Sequence, residues 1–281
     1  MHSKSSIFSR FNRPMIFGHR GVPEEYQENT MSGFKRSVEL GIDGVELDIF
    51  LSSDNRLVVF HDINTERLTG VRGRITEMTW EQLRELDIQK SINVGDRIIT
   101  YAKTEKIALL EEVLEELHGK LLPIIEIKGG KPDYQQRHTG TKLARTIRRM
   151  GLIGNVAVTS SNFWSLLSLK HACPNIESGL TYSPDIVPGK SFRSSSLVGK
   201  LIGATFKNMS LNMFDRDTIE RNHRRGLAIG AWTIFPQDSE WLGSQFNEAQ
   251  QLDCIRNLND QGIDYFITDD PARLQNVIKE L

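Results

Sequence analysis

Eight short apolar runs, separated by segments of a different periodicity, constrain the fold of this 281-residue chain more than any other feature. The runs have the length of buried β-strands and lie at 15–19, 45–50, 121–128, 156–160, 178–182, 206–211, 228–234 and 265–268. Between them, apolar residues recur three, four and seven positions apart, which is the pattern of an amphipathic helix. Eight strand and helix pairs in a chain of this length predict an α/β fold, the (β/α)8 or TIM barrel.

Local signals support the helices and weaken the main alternative fold. Asp270 and Pro271 predict the N-cap and first position of the last helix, and Asn29 is expected to cap the first. The alternative is a doubly wound open sheet, which would need a glycine-rich phosphate loop before its first helix. The chain has Gly18-His19-Arg20-Gly21 there instead, which matches neither phosphate-loop pattern.

A short connection after the second strand predicts a β-hairpin. The gap between 45–50 and 57–61 is too short for a crossover helix, and Asp54-Asn55 is favourable turn chemistry. We therefore expect an extension of strand two that returns on itself. A two-residue turn would place His61 opposite Asp48.

The stretch from about 63 to 107 is polar and contains one helix candidate, 79–86. About 45 residues make a thin core on their own. We expect an insertion over the C-terminal face of the barrel, within a single domain that spans residues 1–281.

Charge and cysteine content bound the partners and the compartment. Lysine plus arginine number 35 and aspartate plus glutamate 36, so a nucleic-acid partner is not expected. Cys173 and Cys254 form no disulfide framework, which favours a reducing compartment. The longest apolar stretch near the N-terminus is Ile7-Phe8, too short for a signal peptide, and no window could insert stably in a membrane. These features favour a cytoplasmic protein and leave its oligomeric state open.

Acidic residues at two strand ends predict a metal site. Glu46 and Asp48 lie two positions apart on one strand, so both side chains point to the same face. Glu126 and Lys128 repeat this spacing on the next barrel strand. Burying three carboxylates together is costly without a cation, and oxygen ligands favour one Mg²⁺ or Ca²⁺ ion. The alternative is that Glu46 and Asp48 are merely polar strand ends.

Basic and aromatic residues lie at other strand ends. His19 and His61 could act as general acid and general base beside a metal, or be hydrogen-bonded structural residues. Arg20 and Lys128 could hold a phosphate, or form salt bridges to the acidic residues. Trp232 could pack against an apolar part of a substrate, or be a core aromatic.

In order and spacing, these residues resemble the glycerophosphodiester phosphodiesterase family. The resemblance covers residues 16 to about 272 and is carried by several short motifs. They are Gly18-His19-Arg20-Gly21, Glu28-Asn29-Thr30, Glu46-Leu47-Asp48, Val58-Val59-Phe60-His61-Asp62, Glu126-Ile127-Lys128, Ala231-Trp232-Thr233, Gly262-Ile263-Asp264 and Ile267-Thr268-Asp269. Gln27 and Asn55 replace a proline and a turn glycine that are usual in the family, and both concern loops.

The resemblance implies a metal-dependent hydrolase that cleaves glycerophosphodiesters, small-molecule substrates, to sn-glycerol 3-phosphate and an alcohol. It implies that the metal is bound by Glu46, Asp48 and Glu126. It implies that His19 and His61 are the acid/base pair and that Arg20 and Lys128 bind the phosphate. Two alternatives stay open, a phospholipase-type phosphodiesterase on the same barrel and a non-catalytic barrel that binds a phosphodiester.

Overall fold

The computed structural model describes residues 7–8, 11–129, 137–183, 199, 202–238 and 246–281. Within them the strands are β1 (Met15–His19), β2 (Gly44–Leu51), β3 (Leu57–Val59), β4 (Asp87–Ile88), β5 (Ser91–Val94), β6 (Arg97–Thr100), β7 (Glu105–Lys106), β8 (Ala108–Leu109), β9 (Leu122–Ile127), β10 (Ala157–Ser160), β11 (Glu177–Tyr182), β12 (Phe206–Ser210), β13 (Ala228–Ile234) and β14 (Tyr265–Thr268). The helices are α1 (Met31–Leu40), α2 (Glu66–Thr69), α3 (Trp80–Glu85), α4 (Leu110–Leu117), α5 (Arg137–Arg149), α6 (Phe163–Ala172), α7 (Thr218–His223), α8 (Glu248–Asp260) and α9 (Pro271–Lys279).

Eight parallel strand pairings close into a barrel. The barrel order is β1, β2, β9, β10, β11, β12, β13 and β14, and β14 pairs back onto β1. Each of the eight apolar runs forms one of these strands, so the predicted (β/α)8 barrel is confirmed and the doubly wound sheet is excluded.

Apolar side chains pack against both faces of the barrel strands. Outside the barrel, helices cover the strands with residues at helical spacing, and α4 buries all four of its leucine and valine side chains. Inside the base of the barrel, the ring of Phe8 stacks on Tyr265 at 4.5 Å and meets Phe206 edge-on at 4.9 Å. A Cβ on Gly230 would lie 2.0 Å from the Tyr265 ring, so this position must be glycine. Apolar side chains thus fill the base and leave the opposite end of the barrel to polar groups.

The two predicted helix caps have different outcomes. Asp270 caps α9 by accepting a hydrogen bond from the Arg273 backbone, with Pro271 next to it, as expected. The prediction for α1 is wrong, because Thr30 is its N-cap and accepts from the backbone of Gly33. Asn29 instead adopts a left-handed conformation with φ 58° and turns its side chain toward the barrel.

The β-hairpin forms, but with a register one residue away from the predicted one. β2 and β3 are antiparallel with Ile49 opposite Val59, and the Phe60 backbone donates to the carbonyl of Asp48 at 3.0 Å. Phe60, not His61, therefore lies across from Asp48. The turn contains three residues instead of two, because Asn55 supplies the left-handed conformation (φ 61°) that closes such a loop.

The insertion builds on this hairpin. Its apolar side chains form one cluster with Phe50, Val58 and Phe60 of the hairpin. The helix expected at 79–86 forms as α3, with a capping box at Thr79. The strand pair β5 and β6 reaches over the open end of the barrel.

Candidate active site

Three carboxylates meet at the carboxyl ends of two neighbouring barrel strands. Glu46 and Asp48 point inward from β2, and Glu126 lies beside Asp48 in the β2–β9 register. One oxygen atom from each carboxylate lies within 4.8 Å of the other two. Two-residue periodicity along each strand and the parallel register between them are sufficient to bring these groups together.

Burial and neighbouring charges act differently on the three carboxyl groups. Glu46 and Asp48 are 2% and 1% exposed. Burial, with the charges of Asp48 and Glu126, raises the pKa of Glu46 well above its usual value. Burial and the nearby Asp48 also raise the pKa of Glu126. Burial alone would raise the pKa of Asp48, but the charges of Lys128, His61 and Arg20 outweigh it and hold that pKa low.

This donor set fits a divalent cation. Glu46 Oε1 is buried and accepts no hydrogen bond from any residue that the structure describes. An oxygen-only ligand set of this spacing suits Mg²⁺ or Ca²⁺, whose bonds to oxygen are about 2.0–2.6 Å long. A cation bound here would give Glu46 Oε1 a partner and offset the repulsion that raises the pKa of Glu46.

Each of the two histidines is held by a carboxylate through its Nδ1 atom. His19 Nδ1 lies 2.6 Å from Asp269 Oδ1, and its Nε2 lies 3.9 Å from Glu46 Oε2. His61 Nδ1 lies 2.6 Å from Asp62 Oδ1. A carboxylate at Nδ1 fixes the ring and leaves Nε2 for a second partner. Burial, with the charges of Arg20 and Lys128, lowers the pKa of His61 to about 4.

Two basic side chains lie beside the carboxylates. Arg20 Nε lies 3.3 Å from Asp48 Oδ2, and Lys128 Nζ lies 3.4 Å from Asp48 Oδ1. Lys128 is also 3.6 Å from Glu126. Burial alone would lower the pKa of Lys128, but Glu126 and Asp48 outweigh it and raise that pKa, so the lysine stays charged. The salt bridges that were the alternative role for Arg20 and Lys128 are therefore present. The same two side chains could also hold a phosphate.

A wider outer cleft opens beside the acidic pocket. The inner pocket contains the three carboxylates and both histidines, and the outer cleft of about 220 Å³ opens beyond them. Trp232 lines both spaces, and Val94 of β5 lines the outer cleft from the insertion. Arg97 of β6 donates a hydrogen bond to the Gln237 carbonyl, which ties the insertion to the loop after β13.

Five further residues belong to the site, none of which was predicted from the sequence to act there. Asn29 donates to Asp48 Oδ2 at 2.8 Å and accepts from the Asp48 backbone at 3.1 Å. Asp269 and Asp62 hold the two histidines, Glu28 accepts from Arg20, and Arg67 donates to both Asp62 and Glu28. Only Arg67 lies outside the motifs that carry the resemblance, and nothing in its local sequence marks it.

Comparison with known proteins identifies the family. The model of the "Glycerophosphoryl diester phosphodiesterase family" matches residues 19–273. The chain belongs to this family. The enzyme class predicted from the sequence, a glycerophosphodiester phosphodiesterase, is thereby confirmed.

Relatives of the family resemble the chain over nearly its whole length. A glycerophosphodiester phosphodiesterase of Caldanaerobacter subterraneus subsp. tengcongensis is 28% identical and aligns over 95% of this chain and 99% of its own. One from Bacillus altitudinis is 27% identical over 95% and 98%.

Two solved structures share the barrel. The putative family member from Silicibacter pomeroyi superposes with a TM-score of 0.79 at 19% identity, over 96% of this chain and 95% of that one. A phosphodiesterase of Oleispira antarctica, solved in complex with the product sn-glycerol-3-phosphate, superposes with a TM-score of 0.74 at 21% identity, over 98% and 100%. Within the described part of this chain, no helix is long and apolar enough to span a membrane.

Proposed function

We propose that this enzyme hydrolyses glycerophosphodiesters to sn-glycerol 3-phosphate and an alcohol with one bound divalent cation and two histidines as acid and base. One observation carries the proposal. Three carboxylates, two of them buried and the third half-buried, lie within 4.8 Å of one another in a pocket that also contains two histidines, each backed by its own carboxylate. The product named for the Oleispira antarctica phosphodiesterase agrees with this substrate class.

Glu46, Asp48 and Glu126 would hold the cation. When bound there, a divalent cation supplies positive charge to a phosphate oxygen and acidifies a hydroxyl group that it contacts. Glu46 and Asp48 form one arm of the site and Glu126 the other, so loss of Glu126 should weaken binding without unfolding β2.

Arg20 and Lys128 would share the charge that develops on the phosphoryl group. Arg20 presents a planar fork and Lys128 a point charge, from different strands. Both already balance Asp48, so a substrate phosphate would compete with that carboxylate for them. With Asp48 serving as a metal ligand, Arg20 and Lys128 would be available to the substrate phosphate.

His19 and His61 would move the protons. One imidazole takes a proton from the attacking hydroxyl group and the other protonates the leaving alcohol. The attacking group is either water, which gives sn-glycerol 3-phosphate directly, or a hydroxyl of the substrate's glycerol, which gives a cyclic phosphate that water then opens. Asp269 and Asp62 hold the two rings through Nδ1, so the Nε2 atoms carry out both transfers. The leaving alcohol would occupy the outer cleft beside Trp232.

The direct test is an assay of the purified chain on three diesters, glycerophosphocholine, glycerophosphoethanolamine and glycerophosphoglycerol, with added Mg²⁺ or Ca²⁺. We expect sn-glycerol 3-phosphate from at least one of them, and loss of turnover in Glu126→Gln. Glu105→Gln is the matched control, because Glu105 is an acidic residue of the insertion that pairs with Lys103 outside the pocket. Cleavage of phosphatidylinositol or sphingomyelin in vesicles, with none of the three glycerophosphodiesters cleaved, would favour a phospholipase-type enzyme. Absence of turnover on every substrate would favour a binding protein. We also propose a cytoplasmic location.

A further inference from the structure

One guanidinium of the insertion connects the two halves of the catalytic machinery. Arg67 lies on α2, outside the barrel, and its Nε donates to Asp62 Oδ2 at 2.5 Å. Its two terminal nitrogens donate to both oxygens of Glu28, at 2.9 and 2.7 Å. All three nitrogens of the guanidinium thus donate to carboxylates.

Each of these carboxylates reaches a residue of the proposed mechanism. The second oxygen of Asp62 holds His61 Nδ1 at 2.6 Å. Glu28 Oε1 also accepts from Arg20 Nη1 at 2.9 Å. Arg67 therefore fixes the partner of a histidine and the partner of a phosphate-binding arginine at the same time.

The two carboxylates need this clamp to different degrees. Glu28 is almost fully buried and has a second partner in Arg20, whereas the side chain of Asp62 is 25% exposed. Without Arg67, Asp62 could rotate toward solvent, since only the His61 bond would restrain it among the contacts that the structure describes. The Asp62 carboxylate would then no longer hold the imidazole in a single orientation.

We propose that Arg67 is a positioning residue, which holds Asp62 so that His61 presents Nε2 to the substrate and holds Glu28 so that Arg20 faces the phosphate. The inference rests on the proposed function and extends it to a residue that the insertion, not the barrel, contributes. It makes the insertion part of the catalytic apparatus.

The test compares Arg67→Met and Arg67→Lys with the control Arg72→Met, which removes an exposed arginine of the same insertion that pairs with Glu66. We expect Arg67→Met to lower kcat by about 10–100-fold, the usual cost of losing such a supporting contact. KM should rise as well, because Arg20 is released. Arg67→Lys keeps the charge but cannot bridge both carboxylates, so it should recover part of kcat. Arg72→Met should match the wild type.

A double-mutant cycle separates positioning from general support of the fold. The part of the kcat loss that passes through His61 disappears in a His61→Ala background, so the double variant should lose less kcat than the product of the two single losses. The response of Arg67→Met to leaving-group quality should also follow that of His61→Ala and not that of His19→Ala. Additive losses in kcat, or wild-type kinetics in Arg67→Met, would overturn the proposal.

A spectroscopic measurement decides the inference without turnover. Long-range ¹H–¹⁵N correlation spectra report which imidazole nitrogen carries the proton. Wild type and Arg72→Met should show His61 protonated at Nδ1, and Arg67→Met should show a mixture of tautomers at a temperature where the barrel remains folded. An unchanged His61 tautomer in Arg67→Met contradicts the positioning role even if the wild type hydrolyses none of the tested diesters, an outcome that would refute only the proposed function.

Discussion

Replacement of Asn29 tests whether the metal site depends on a residue that binds no metal. Its amide group makes two hydrogen bonds to Asp48, one to the carboxylate at 2.8 Å and one from the backbone at 3.1 Å. A bond to a charged group contributes about 1.5–3 kcal/mol and a neutral one about 0.5–1.5 kcal/mol. Asn29 also adopts φ 58°, which costs about 1 kcal/mol more for alanine than for glycine.

These contributions give a ranked expectation for the free energy of unfolding. Asn29→Gly loses the two bonds but tolerates the backbone, so it should destabilise the metal-free protein by about 2–4 kcal/mol. Asn29→Ala should cost about 1 kcal/mol more than Asn29→Gly. Asn55→Ala is the control, because Asn55 has a similar φ of 61° in an exposed turn and should show only the backbone part.

Urea unfolding and calorimetric metal titration measure the two consequences. Because Asp48 would lose the group that orients it, we expect divalent-cation affinity to fall by about 10–100-fold in both Asn29 variants and to stay unchanged in Asn55→Ala. The reasoning is refuted if Asn29→Ala unfolds within about 0.5 kcal/mol of Asn55→Ala and binds the cation as tightly as wild type.

Four other substitutions test separate parts of the site. His19→Ala and His61→Ala should each lower kcat by about 10²–10⁴-fold with an alkyl leaving group. With a p-nitrophenyl diester only the general-acid variant should recover, and an identical response of the two variants would remove the acid/base assignment. Lys128→Ala should lower kcat and raise KM together, measured by steady-state kinetics; a change in KM alone would mean that it binds the ground state only. For Glu28, burial alone would raise the pKa, but Arg20 and Arg67 hold it well below its usual value, so this carboxylate stabilises the fold above about pH 4.3 and loses that effect as pH falls. Glu28→Gln should therefore cost about 3 kcal/mol at pH 7, and the difference from wild type in denaturant titrations should shrink between pH 5 and pH 3; a constant difference would contradict the ion pairing.

The barrel was predictable because its strands are short and apolar and its helices have a clear period. The run at 228–234 forms β13 with identical bounds, since both ends coincide with changes in polarity. The convergence of Glu46, Asp48 and Glu126 was predictable as well, because strand periodicity decides which side chains point inward.

Features that depend on tertiary contacts were not predictable to the same degree. Asparagine is a residue type that is common at N-caps, but the next residue, Thr30, caps α1, and Asn29 instead hydrogen-bonds to Asp48. The hairpin register depended on a left-handed Asn55, which lengthened the turn by one residue. Arg67 is separated from Glu28 by 39 positions, and no local pattern predicts that pairing.

The central claim is that a cation held by Glu46, Asp48 and Glu126 is required to cleave a glycerophosphodiester. The most direct measurement follows glycerophosphocholine by ³¹P NMR with chelator-stripped enzyme, to which Mg²⁺ or Ca²⁺ is added back in steps. We expect no turnover in the stripped enzyme, formation of sn-glycerol 3-phosphate that rises until one cation is bound per chain, and no recovery in Glu126→Gln at the same cation concentration. Full turnover by enzyme verified to be metal-free, or release of phosphocholine in place of sn-glycerol 3-phosphate, would contradict the requirement for the cation or the proposed bond cleavage.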